Sequence, residues 1–292
     1  MEQNLYFDGA KSIRLTQLGT ISSGQDGAIS NGYIFRFDQA GLCRVFCLST
    51  LEKIAEFTLE KADLLAPHSN AVCFGPNRWE EDDEFPIVYT NIYNNYSSRE
   101  NRLEGVCCAY RIVREGTQFT SQLLQVIQVD FVHDSRYWCS ESVKDVRPYG
   151  NFVVDGEDLI AFVMRDETHA TRFFRFALPK ITEGVMDDVW GVPVAHLTPE
   201  HIEQQFDECY VNYMQGATCH NGILYSVEGF DMPNDNAHPY IHIFDTKQEK
   251  LVLAVDLTTL GLSRETEFVD VYQDTVYYGD CHGNFYQILF EA

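Results

Sequence analysis

A strand-turn-strand unit recurs five times along this chain, and its final copy runs out one strand short. The best-defined copy covers residues 215–257. Residues 216–219 lead into a turn at His220-Asn221-Gly222, and residues 223–227 lead out of it. Asn-Gly between apolar runs signals a hairpin, because both residues tolerate positive φ. Residues 240–244 follow, then residues 251–257, where Leu251, Leu253, Val255 and Leu257 share one face. That alternation belongs to a half-buried strand.

The other copies follow the same grammar. The first has residues 27–29, the turn Ser30-Asn31-Gly32, then 33–37, 43–48 and 54–59. The second uses 70–74, 87–92, 106–112 and 123–129, and the third 152–154, a turn at 155–158, then 159–164, 172–178 and 192–197. The fifth offers 269–271, a turn at Gln273-Asp274, then 276–278 and 285–289, where the strands stop. Three strands leave an open sheet edge, and ring closure removes such edges. Residues 13–21 form an orphan strand that can supply the fourth. The expectation is an all-β, five-bladed β-propeller whose N-terminal strand closes the last blade, since repeats of about 40 to 50 residues suit propellers. A β-sandwich with coincidental hairpins is the alternative, because sandwiches also space short strands regularly.

No Ser-, Gly- or Pro-rich linker divides the 292 residues, so residues 11–292 read as one domain. Residues 1–10 read as a tag remnant. Asn4-Leu5-Tyr6-Phe7-Asp8-Gly9 resembles the viral-protease site Glu-Asn-Leu-Tyr-Phe-Gln-Gly, with Asp8 where Gln belongs. The net charge of -23 repels phosphate backbones, so nucleic acid and anionic membranes are poor partners. No apolar run approaches the roughly 20 residues of a bilayer-spanning helix. The nine cysteines are scattered, mostly at apolar strand positions. Cys107 and Cys108 should point to opposite faces of one strand. Free thiols favour a reducing, cytoplasmic setting, with export left open by the altered N-terminus.

In such a ring the first strand of each blade lines the axis. Loops from a fourth strand to the next first strand, and from second to third strands, share one face, the mouth. They are long here (residues 91–105, 132–148, 198–214 and 228–239), whereas the opposite face has tight turns apart from residues 75–85 and 180–191. Long loops on a rigid scaffold carry binding. A Thr198-Pro199-Glu200 helix start suggests a short helix at the mouth. Polar residues at the starts of the inner strands should ring the channel: Gln25 and Asp26, His68 and Asn70, Arg147 and Tyr149, Gln215, and Glu265 and Glu267. Tyr93 or Tyr149 would add an aromatic platform.

That ring suits a polar, hydrogen-bonding ligand. The leading expectation is a non-enzymatic binding protein for a glycan or other polar small molecule, held by Gln25, His68, Asn70, Tyr93, Arg147, Tyr149 and Gln215, and monomeric. An enzymatic alternative uses Asp26 with Glu265 or Glu267 as the two carboxyls of a glycoside hydrolase, which stand about 5 to 10 Å apart. A scaffold for protein partners is the third reading. No cofactor is expected, with room left for a structural or channel-bound Ca²⁺. The acids Glu80 to Glu84 lack the central Gly of an EF-hand loop, and Asp231, Asn234, Asp235 and Asn236 are ordinary turn formers. Cys219-His220 and Cys281-His282 fall on opposite faces and cannot share a zinc ion.

Two segments carry a resemblance. Pro67-His68-Ser69-Asn70, and Gln215-Gly216-Ala217-Thr218 with Asn221-Gly222-Ile223-Leu224-Tyr225, resemble blade starts of bacterial β-propellers of the lectin-like and glycan-processing kind. The resemblance implies the fold and a sugar-like ligand. It assigns no catalytic residue.

Overall fold

Strand Val106–Glu115 carries adjacent thiols that alternation sends to opposite faces, and both are fully buried. Cys107 packs in an apolar layer with Phe152, Leu159 and Phe162, whereas Cys108 packs with Phe35, Val45 and Phe57. A strand buried on both faces lies in a sheet with another sheet on each side. Carried around a ring, that stacking makes a propeller. The structure, a computed structural model, describes residues 10–92, 103–131, 150–163, 170–208, 214–229 and 239–291.

Five antiparallel blades result. Blade one comprises Gly27–Ser30, Tyr33–Phe37, Leu42–Cys47 and Lys53–Thr58. Blade two has Val72–Phe74, Val88–Ile92, Val106–Glu115 and Gln118–Val129. Blade three has Gly150–Asp155, Asp158–Val163, Thr171–Ala177 and Gln204–Glu208. Blade four has Met214–His220, Ile223–Glu228, Tyr240–Asp245 and Lys250–Asp256. Blade five has Thr266–Tyr272, Thr275–Asp280 and Asn284–Glu291, with Ser12–Thr20 as its outer strand. The first strands of the blades touch one another and so surround a common axis.

Closure occurs as the orphan strand foretold. Ser12 pairs with Glu291 and Thr20 with Asn284, with one bulge between Gln17 and Gly19. Main-chain bonds from Lys11 N to Glu291 O (2.9 Å) and from Ile21 N to Gly283 O (2.8 Å) extend the pairing at both ends. Gly283 has φ +82°, and a Cβ there would sit 2.0 Å from Ile21 O, so only glycine lets the strand dock. Ile13 is buried against blade five. The seam between blades five and one holds Ile21, Ile29, Ile34, Phe46, Phe268 and Phe285, the smallest of the four buried apolar clusters among the described residues.

The tight turns take the backbone that their residues allow. Asn31 and Gly32 have φ of 49° and 79°, and Asn221 and Gly222 of 55° and 86°. Both fit a two-residue hairpin in which each turn residue needs positive φ.

Blade three corrects the expected pattern. Residues 192–197 were assigned as its fourth strand, yet Pro193–Leu197 runs parallel to Gln118–Val129 and extends blade two to six strands together with Val185–Met186. Val194 enters one apolar layer and Ala195 and Leu197 the other, so the apolar run is used on both faces of blade two. The true fourth strand is Gln204–Glu208, which pairs with Thr171–Ala177. Its residues are half-buried or exposed, so it shows little apolar pattern. The helix expected at 198–206 shrinks to the 3-10 turn Pro199–His201, where Thr198 N donates to His201 Nδ1 at 3.0 Å.

Candidate functional site

Two bulges shape the mouth. In blade four the register shifts between Met214 and Gly216, and in blade five between Thr266 and Phe268. Gln215 and Glu267 are therefore the extra residues at equivalent places on two inner strands. A bulge re-aims its side chain out of the pleat. Gln215 is 6% and Glu267 3% exposed.

Hydrogen bonds then link the predicted ring. His68 Nε2 donates to Gln25 Oε1 at 2.6 Å, and Gln25 Nε2 donates to Glu267 Oε1 at 3.4 Å. This chain joins blades two, one and five. Gln215 Nε2 donates to Glu265 Oε1 at 2.6 Å, and Asn70 Nδ2 to Met214 O at 3.3 Å. Burial pulls the His68 pKa down to about 4, so the ring stays neutral. Tyr93, Arg147 and Tyr149 lie outside the described residues, as do Asp231, Asn234, Asp235 and Asn236.

Asp26 sits deeper, with no exposed surface. Its Oδ2 accepts Val72 N at 2.9 Å and Ala217 N at 3.3 Å, and its Oδ1 accepts Val269 N at 3.4 Å. One carboxyl on blade one thus ties blades two, four and five. Gly216 makes room for it, since a Cβ there would lie 3.1 Å from Oδ1. Burial pushes the Asp26 pKa well above the carboxylate range, against the main-chain donors and Arg36.

Asp270 repeats the device one layer away. It accepts Ile29 N at 2.6 Å and the Thr218 hydroxyl at 3.1 Å, joining blades five, one and four. Burial raises its pKa to about 7, opposed by those hydrogen bonds. Between the ordinary value of 3.8 and about 7, the folded protein keeps a proton that the unfolded chain gives up. Stability therefore falls as pH rises through that window. From pH 5 to pH 8 this site should cost about 2–3 kcal/mol, at about 1.36 kcal/mol per pKa unit. Urea midpoints of the wild type should drop over that interval more steeply than those of Asp270→Asn; parallel slopes would refute the assignment.

Arg36 was missed in the sequence, although a lone charge in Tyr33–Phe37 is itself a signal. It is fully buried, donates through Nη2 to Gly24 O (2.9 Å) and Asp280 O (3.2 Å), and lies 5.4 Å from the Phe268 ring centre. Burial lowers its pKa, and Glu267, Asp26 and Asp280 act against that. Its Nε and Nη1, the Asn70 Oδ1 and the Glu267 Oε2 are buried without partners among the described residues. Burial, then the nearby Glu265 charge, push the Glu267 pKa well up, with Arg36 opposing.

Glu267 and Gln25 line a pocket of about 410 Å³ over the seam between blades five and one, with Asp38, Arg44 and Cys281 among the other wall residues. Arg44 and Asp38 stand 3.8 Å apart and half-open to solvent. The acidic loop is engaged elsewhere: Asp83 pairs with Arg111 at 2.6 Å and Glu84 with Arg114 at 3.0 Å. Among the described residues no group of three or more His, Cys, Asp or Glu side chains is placed to hold a metal ion. Nor is any described helix long and apolar enough to cross a membrane.

Fold and mouth together define a five-bladed β-propeller with a polar pocket at one seam. Its fold is similar to that of a crystallised glutaminyl cyclase from Myxococcus xanthus, with a TM-score of 0.51, 10% identity, and 95% of this chain and 94% of that one covered. BamB from Moraxella catarrhalis is more distant, with a TM-score of 0.37, 7% identity, and 92% and 58% of the two chains covered. No known protein family matches the chain. No curated protein matches it either. The Myxococcus protein is not named as a lectin or a glycan-processing protein, so the likeness supports the five-bladed fold alone.

Proposed function

We propose that the protein binds a polar, hydrogen-bonding small molecule, of the glycan class or comparably polar, in the mouth pocket between blades five and one. The observation that carries this reading is the Glu267 Oε2, buried without a described partner in the pocket wall. A buried polar atom left unpaired costs about 1–3 kcal/mol, and a ligand donor recovers that energy. Gln25 supplies a second polar group and His68 fixes the Gln25 amide. Asp38 and Arg44 at the rim give hydrogen bonds of both polarities.

A thermal-shift screen of glycans and polar small molecules tests the reading. A ligand at 100 times its Kd should stabilise the fold by about 2.7 kcal/mol. Titration of the hit against Glu267→Gln and Gln25→Ala should show affinity reduced about tenfold, or about 1.4 kcal/mol, in each folded variant. A screen with no hit at millimolar concentration, or a Kd indifferent to Glu267, would remove the proposal.

Catalysis is the second reading, favoured by the environment of Glu267. Burial, then the Glu265 charge, push the Glu267 pKa upward, the direction that suits a general acid, and Glu265 nearby offers a second carboxyl. Asp26, with both oxygens engaged, supports the floor in this reading. Glycosides, and glutaminyl compounds because of the Myxococcus enzyme, are the substrates to assay against Glu267→Gln.

A further inference from the structure

A second constellation lies in blade four, away from the pocket. Its strands Ile223–Glu228 and Tyr240–Asp245 pair so that Ser226 stands opposite His242, and Glu228 opposite Tyr240. Alternation sorts their side chains. Tyr225, Val227, Ile241 and Ile243 enter the apolar layer shared with blade five, whereas Leu224 and Phe244 enter the one shared with blade three. Ser226, Glu228 and His242 fall on the blade-three side. Glu228 ends its strand and Tyr240 begins the next, so the group sits at the mouth end.

His242 is held on three sides. Its Nδ1 lies 2.5 Å from Glu228 Oε1. The Tyr240 ring stacks at 5.5 Å with an interplanar angle of 13°, and Phe244 tilts against it at 6.1 Å. Glu228 is 2% and His242 9% exposed. An ionised carboxylate only accepts, so Nδ1 carries the proton and Nε2 presents its lone pair. No described residue hydrogen-bonds Nε2. Ser226 Oγ reaches Glu228 Oε1 at 3.5 Å instead of the imidazole, so it is not an activated nucleophile. A carboxylate that fixes an imidazole tautomer and leaves Nε2 open is the arrangement of a general base.

We propose that His242, positioned by Glu228, is the proton-accepting group of a second site that takes small uncharged carboxylic esters. The chain's charge of -23 disfavours anionic substrates, and the flanking rings of Tyr240 and Phe244 favour an apolar group beside the reacting carbonyl. In the step, Nε2 takes a proton from water as the water oxygen bonds to the ester carbonyl carbon. The tetrahedral species then breaks its bond to the alcohol oxygen, which leaves with the electron pair. The imidazolium returns its proton to the leaving group or to solvent, giving acid and alcohol.

The test uses the full chain and p-nitrophenyl acetate at pH 8. Nitrophenolate release should exceed that from an equal concentration of free imidazole, and His242→Gln should lower it by about 100-fold, in the usual range for a general base. ¹⁵N NMR of the wild-type ring should show the proton on Nδ1. Glu228→Gln should lower the rate and mix the tautomers, a change that a purely structural role would not produce. Hydrolysis no faster than with imidazole, unchanged hydrolysis in His242→Gln, or a wild-type proton on Nε2 would each overturn the proposal. The wild-type spectrum decides even if a variant fails to fold.

Discussion

A chain shortened to begin at residue 22 is expected to lose cooperative folding and aggregate. The deletion strips the outer strand from blade five, where pairing runs from Ser12 with Glu291 to Thr20 with Asn284. It exposes Asn284–Glu291 along its full length, and an unpaired edge of this kind templates association. It also removes Ile13 and Ile21 from the apolar layers on either side of blade five. The loss should exceed the roughly 5–15 kcal/mol that separates a folded domain from its unfolded chain. Denaturant unfolding followed by circular dichroism, with light scattering, reads the outcome. A synthetic peptide of residues 10–22, added in trans, should restore the transition. A shortened chain that keeps the parent's midpoint would mean that the ring does not depend on this strand.

Asp26→Ala should cost more stability than any other single substitution at the mouth. Three main-chain N–H groups, from Val72, Ala217 and Val269, would lose their acceptor in a site with no exposed surface. Each unpaired buried donor costs about 1–3 kcal/mol, and the two longer bonds fall toward the low end, so about 3–5 kcal/mol is expected. Asp26→Asn keeps one acceptor oxygen and should cost about 1–2 kcal/mol on the same reasoning. Guanidinium midpoints of the three proteins give the comparison. A loss under about 1 kcal/mol in the alanine variant, the worth of one ordinary hydrogen bond, would show that the carboxyl does not tie the blades.

The ring and its closure were legible because Asn-Gly turns and alternating strands are local signals, and the missing strand was a matter of counting. The fourth strand of blade three was not. Gln204–Glu208 is an outer strand with polar, half-exposed side chains, so nothing apolar marks it, while the apolar Pro193–Leu197 is spent as an addition to blade two. In the mouth, the polar starts of the inner strands pointed to Gln25, His68, Asn70, Gln215 and Glu267 as candidates, and hydrogen bonds run among them and their neighbours. Those polar starts did not reveal that Gln215 and Glu267 sit at bulges, because a bulge is a pairing property and leaves no mark within one strand. Arg36, the lone charge of Tyr33–Phe37, and Asp270 were passed over, because their partners lie on other blades. Asp26 was placed on the channel, and only three-dimensional neighbours disclose that its oxygens knit four blades together.

The seating of Ser12–Thr20 beside Asn284–Glu291 has a consequence for biogenesis. Ser12–Thr20 is made well before Asn284–Glu291, so blade five cannot be finished until residues 284–291 have been synthesised. Pairings this distant raise contact order and slow the final step. Until then the leading strand waits as a nascent, uncommitted ribbon.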